Sequence, residues 1–162
     1  MKVEFNITGI PGIIRTLSSL PAEVVSKKGG PVKLALAKGA RFLRDKERQN
    51  LQAVLEPGDE STGLLAQNII ASRGKAPSGG NGERYVVRIK RKMYPGRKGE
   101  QVSTLKSAQL KEYGSVQQPA RSFIRRTVNQ HGEETINVIV SDLLARVDRV
   151  IAKLSQQNRG GR

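Results

Sequence analysis

Leu110 to Thr127 reads LKEYGSVQQPARSFIRRT, and its two halves carry different local instructions. Gly114 follows an aromatic residue, which suits a tight turn or a close backbone approach, since glycine takes positive φ without steric cost. Pro119 steers Gln118 away from the helical region, so Ser115 to Pro119 reads as an extended loop. Ser122, or the turn around it, then stands as the cap of a helix beginning at Phe123 and Ile124. The chain changes character across this hinge. A basic strand-and-loop middle precedes it, and an amphipathic helix follows.

Downstream, Ile136, Val140, Leu143, Val147, Val150 and Leu154 recur at spacings of 4, 3, 4, 3 and 4. That is the narrow apolar seam of a helix of about twenty residues. Asn158 to Arg162 reads as a frayed tail, and the ordered domain as ending near residue 156. Upstream, Arg84 to Lys90 alternates cleanly, with Tyr85, Val87 and Ile89 inward and Arg84, Arg88 and Lys90 outward, which predicts a strand. Thr104 to Glu112 predicts two helical turns. Between the strand and those turns, Lys90 to Gln101 is a basic loop with almost no apolar pattern. Arg73 to Gly82 carries four glycines and a proline. The whole region from about 73 to 104 is therefore expected to be a mobile basic loop around the strand.

Earlier still, Pro31 suits the first position of a helix, where its missing N–H costs nothing. Val32, Leu36, Ala40, Leu43, Leu51, Val54 and Leu55 mark the apolar side of a long helix over 32–55. Pro57 to Ser61 is a turn, Thr62 to Leu65 a short turn, and Asn68 to Ser72 a strand. Lys2 to Thr8 alternates around Val3, Phe5 and Ile7 as a short strand, and Ile13, Ile14, Leu17 and Leu20 predict a short helix. Neither long helix can bury its seam alone. Packing both on one face of a small, mostly antiparallel sheet predicts a single two-layer α+β domain over residues 1–156, with 157–162 as a disordered tail.

The chain has 162 residues, a formal net charge of +15, 36% apolar residues and 4% aromatics. The length suits one domain. The low apolar content suits a core completed by neighbouring subunits. Charge so unbalanced calls for a polyanion or an acidic partner, and nucleic acid is the first candidate. There are no cysteines, hence no disulfide and no thiolate metal site. No apolar run reaches bilayer-spanning length, and the N-terminus lacks a secretory layout, so a soluble protein without membrane partners is expected.

Little supports catalysis or cofactor binding. His131 is the lone histidine, read at a helix start, where a surface or capping role is commoner than a catalytic one. Glu133 and Glu134 suit a first helical turn. Asp59 and Glu60 have turn composition without further ligands at metal spacing. Gly79 to Gly82 lacks the Gly-Lys-Ser/Thr ending of a phosphate loop. No enzyme, no cofactor and no metal site is expected.

Between residues 84 and 98 seven positions are basic and none is acidic. Arg84, Arg88, Lys90, Arg91, Lys92, Arg97 and Lys98 together make a strip able to follow a phosphate backbone, with sequence-blind, salt-sensitive contacts. An acidic neighbouring subunit would serve equally well. Tyr94 alone interleaves, so base stacking has poor support. Arg121, Arg125 and Arg126 oppose the dipole at a helix start and call for an outside partner, either an intersubunit carboxylate or a phosphate.

Glu112-Tyr113-Gly114-Ser115, a gap, then Pro119-Ala120-Arg121-Ser122-Phe123-Ile124 resembles an element of a tail-component family of tailed bacteriophages. That family comprises neck and tail-completion proteins like the lambdoid siphophage gene-ten product. Ser61-Thr62-Gly63-Leu64-Leu65-Ala66-Gln67-Asn68-Ile69 is similar to a second family element, and the likeness spans about residues 5 to 156. The chain has Ser122 where proline is usual, Ser115 for threonine and Asn68 for serine. The resemblance implies helices against a curved sheet, with structural roles for Thr62, Gly63, Leu64, Glu112, Tyr113, Gly114, Pro119 and Phe123. It also implies a virion protein at the head–tail junction, assembled in the host cytoplasm as a homo-oligomeric, commonly hexameric, ring. Its partners would be the head connector or stopper, the tail tube or tail terminator, and packaged double-stranded DNA in the lumen. The alternative, from the charge alone, is a non-sequence-specific nucleic-acid-binding accessory protein.

Overall fold

The computed structural model describes residues 30–55, 63–75, 83–95 and 102–159. The expected strand over 2–8, the short helix over 13–20, and Thr62, Arg97 and Lys98 lie outside the described residues. The chain order is α1 (Pro31–Ala53), α2 (Leu64–Gln67), β1 (Ile69–Arg73), β2 (Tyr85–Ile89), α3 (Thr104–Tyr113) and α4 (Ile124–Arg159). This is an α+β fold of two long helices with a small antiparallel sheet.

The helix α1 starts on Pro31 at its first position, as its sequence indicates. It buries Ala35, Gly39 and Ala40 in its first half and Glu47, Asn50 and Leu51 in its second. The larger Leu36 and Leu43, expected on the core side, are only half-buried. Small residues let the helices approach closely instead. A Cβ on Gly39 would collide with the Ile139 side chain, so the close α1–α4 crossing depends on the missing side chain. Alanine there gains about 1 kcal/mol of helix propensity but overpacks the contact at about 1–3 kcal/mol. Gly39→Ala is expected to lose about 1 kcal/mol net, and Gly39→Leu about 3 kcal/mol, as read from denaturant midpoints; adding Ile139→Ala should recover part of the second loss.

The helices α1 and α4 run antiparallel, because Asn50 meets Thr127 while Lys38 meets Asp142. Ala35, Leu143 and Val147 form one apolar cluster with Val32 and Ile139 at its margin. At the other end, Leu51, Leu65, Ile69, Ala108 and Phe123 form the main core, with Val87 and Ile89 packed on it. The sheet lies on the second half of α1, in the register Ile69–Ile89 through Arg73–Tyr85.

The second long helix differs from its expected form. It is one rod of 36 residues, continuous from the hinge, so His131, Glu133 and Glu134 lie within it and not at its start. Its buried stripe is Thr127, Thr135, Asp142, Leu143 and Val147, continued by Phe123 just before its start. Ile136 and Val140 of the expected seam are half-buried. Threonines can replace aliphatics because their hydroxyls turn back to the helix, Thr127 to Phe123 O and Thr135 to His131 O. The helix continues to Arg159, into the segment read as a frayed tail.

Candidate functional site

The hinge is built around one buried carboxylate. The helix α3 is capped by Ser103, whose hydroxyl accepts from Lys106 N, and ends at Gly114, whose N–H donates to Leu110 O. Glu112, in its last turn, is 3% exposed. Its carboxylate accepts from Ile124 N at 2.9 Å and Arg125 N at 3.2 Å, the first amides of α4. An anion at that position satisfies orphan donors and complements the helix dipole. Glu112 therefore caps α4, the role that the sequence assigned to Ser122.

Arg125 completes the clamp. Its Nε donates to Glu112 Oε1 at 3.0 Å and its Nη2 to Glu112 O at 3.0 Å, and the guanidinium lies over Tyr113. The sequence reading gives Arg125 an outside partner, either an intersubunit carboxylate or a phosphate. The carboxylate is in its own chain. Arg121 donates its main-chain N–H to Lys111 O, while Arg126 is exposed beside Ser122, Asn129 and Gln130 in a shallow cleft.

Gly114 has φ +76° and Gly63, which precedes α2, φ +70°. Ser115 and Gln118 exchange main-chain hydrogen bonds across the turn that carries Pro119. Phe123 is wholly buried, whereas Tyr113 is 72% exposed. Leu64 opens α2.

Glu47 of α1 is a buried acid that the pattern of charges concealed. It is 5% exposed, and burial first, then the negative Glu112, pushes its carboxyl up to about 7. The folded state thus binds a proton that the unfolded chain releases near 4.5. The stability tied to that proton is fully present below pH 4.5 and is lost as pH rises through 7, about 3 kcal/mol at 1.36 kcal/mol per pH unit. Glu47→Gln should flatten this slope and stabilise the protein at pH 8 by about 1–3 kcal/mol, measured by denaturation across pH. Asp142 has the opposite sign. Hydrogen bonds from Arg146 and then Lys38 hold its carboxyl below the usual range, so its contribution is lost only as pH falls through that lowered value.

The cationic strip occupies the outer face of the sheet and the turn beyond it. With Val87 and Ile89 on the core, strand alternation sends Arg84, Arg88 and Lys90 to the opposite face; all three are exposed, as are Arg91 and Lys92. Nearby Glu83 is engaged by Arg73 through two hydrogen bonds. Among the described residues no carboxylate forms an ion pair with any of the five.

The base of the strip is held by its main chain, although the sequence indicated a loop throughout. Lys90 N donates to Asn68 O, Thr104 N to Lys92 O and Tyr94 N to Val102 O. The Thr104 hydroxyl donates to Lys90 O at 2.8 Å and accepts from Lys92 N at 3.0 Å. Thr104 is fully buried. A buried threonine at the first position of α3 thus presents Lys90, Arg91 and Lys92 from a defined turn. Among the described residues no group of three or more His, Cys, Asp or Glu is arranged to hold a metal, and no helix is long and apolar enough to cross a membrane. Comparison with family models, curated proteins and solved structures returns no match to this chain.

Proposed function

We propose that the chain is a structural subunit of a tailed-phage head–tail junction, a neck or tail-completion component. In this reading it assembles as a ring, commonly hexameric, around the DNA channel and contacts the connector or stopper and the tail tube or terminator. The observation that carries the reading is the row of exposed cations, Arg84, Arg88, Lys90, Arg91 and Lys92, on the strand and its pinned turn, without a carboxylate partner among the described residues. A sequence-blind cationic face suits a passage through which DNA of any sequence moves, or a seam against an acidic neighbour.

The hinge supports the same reading in a different way. Glu112, Gly114 and Phe123, three of the residues carrying the family resemblance, are those that fix α3 against α4. Arg121 and Arg126 lie next to this hinge and are the remaining interface candidates. Arg97 and Lys98 belong to the same basic run in sequence. No catalytic step is proposed.

Lys90→Glu with Lys92→Glu tests the role of the strip. Both residues are held through main-chain groups, so the side chains can be reversed without disturbing the turn. The double variant should fold with an unchanged denaturation midpoint yet fail to join heads to tails in an in vitro complementation assay. Normal joining would remove the strip from the mechanism. Tight, salt-sensitive binding of duplex DNA by a discrete monomer, seen by gel shift with sizing, would favour the nucleic-acid-binding accessory protein instead.

A further inference from the structure

The two-stranded sheet has two edges, and the exposed cations Arg84, Arg88 and Lys90 stand beside that of β2. Gly74 N bonds Arg84 O and Lys90 N bonds Asn68 O, and antiparallel ladders alternate bonded and non-bonded pairs. With the register fixed, Ile69, Ala71 and Arg73 therefore turn their main-chain groups to the outer edge of β1, and Tyr85, Val87 and Ile89 theirs to the outer edge of β2. Arg48 engages one end of the β1 edge by donating to Ile69 O at 2.8 Å, while the main-chain groups of Ala71 and Arg73 have no such partner among the described residues. Among the described residues, the main-chain N–H and C=O of Tyr85 and Val87 have no hydrogen-bond partner beyond the strand. An open edge of this kind is a template for a further strand.

We propose that the β2 edge docks an extended segment of a protein partner with alternating apolar and acidic residues, which joins the sheet as a third strand. The apolar residues would continue the inner face beside Val87 and Ile89. The carboxylates would lie on the outer face beside Arg84, Arg88 and Lys90, at alternate positions of the added strand. Charge excludes a second copy of β2, which would set these arginines and lysine against their own kind. Nucleic acid meets the charge but not the edge, since a phosphate backbone offers acceptors and no donors for the carbonyls of Tyr85 and Val87. The docking uses the cations of the proposed function but holds whether or not the chain belongs to a phage.

The test uses amide hydrogen exchange on the isotope-labelled full chain. The probes are a short peptide alternating valine and glutamate, the same peptide with lysine for glutamate, and a short DNA duplex. The glutamate peptide is expected to slow exchange at Tyr85 and Val87 by about tenfold or more, and the lysine peptide to leave it unchanged. Tyr85→Pro removes one outward N–H without touching the β1 ladder, as proline is tolerated on an edge, and should abolish the effect while the remaining amide spectrum persists. Arg88→Glu should weaken it. The proposal is overturned if the glutamate peptide protects neither amide, if both peptides protect equally, or if both amides are already protected in the free chain. Protection by duplex DNA alone would also overturn it while leaving the channel reading intact.

Discussion

Gly114→Ala is expected to cost about 3–5 kcal/mol of stability, since two separate penalties coincide at one residue. Its backbone stands at φ +76°, ψ −174°, a region essentially confined to glycine and costing about 1–3 kcal/mol for other residues. An added Cβ would also lie 2.7 Å from Ala120 N and 2.8 Å from Gln118 O. Those are main-chain atoms of the turn that leads into α4, so no rotamer change relieves them. Relief requires moving the turn that leads to Phe123, the largest wholly buried side chain among the described residues. Urea denaturation of Gly114→Ala should show a lowered midpoint with an unchanged slope. A midpoint within experimental error of the parent would mean that the hinge is soft and does not set the angle between α3 and α4.

Glu112→Ala is expected to cost about 3 kcal/mol, drawn from the two α4 amides left without an acceptor at about 1–3 kcal/mol each. The lost pairing with Arg125 adds less, because that side chain is 47% exposed and water screens it. A second readout separates capping from mere packing. Glu112 is one cause of the raised Glu47 carboxyl, so its removal should shift the alkaline loss of stability to lower pH. Glu112→Gln, which keeps an acceptor but no charge, should make the same pH shift with a smaller loss of stability. A destabilised Glu112→Ala whose pH profile is unmoved would refute the coupling of the two acids.

Much of the architecture was legible because it rests on short-range signals. Pro31 marks the start of α1, alternation over 84–90 marks β2, and Gly114 with Pro119 marks the hinge. The outward direction of Arg84, Arg88 and Lys90 follows from that alternation alone. What escaped was the part made by long-range polar contacts. Glu112 caps a helix twelve positions further along the chain, so local spacing pointed to Ser122 instead. Thr127, Thr135 and Asp142 look like solvent-facing residues in a helical pattern, yet each is buried with a hydrogen-bond partner. Asn50 shows the same logic from α1, donating to Thr127 Oγ1 at 2.9 Å. Glu47, in the charged run Arg44 to Arg48, offered no signal of burial. The cue that existed was Gly39, a helix-interior glycine that favours close packing over propensity.

The cationic face has a defined position. A solvated basic loop would spread its charges over many orientations, whereas Thr104 and Asn68 fix the main chain under Lys90 and Lys92. Buried acid chemistry and exposed cations thus divide the molecule. The acids Glu112 and Asp142 tie the helices together, and the strand face carries exposed Arg84, Arg88 and Lys90. Because the two sets share no ion pair among the described residues, charge reversal on the strand should change assembly without changing stability.

The most direct test is an electron cryomicroscopy reconstruction of the head–tail junction in particles that carry this chain. The expected result is a closed ring of copies in which Arg84, Arg88 and Lys90 face the lumen or a neighbouring subunit. A junction without the chain, or a ring whose strand face looks into bulk solvent, would contradict it.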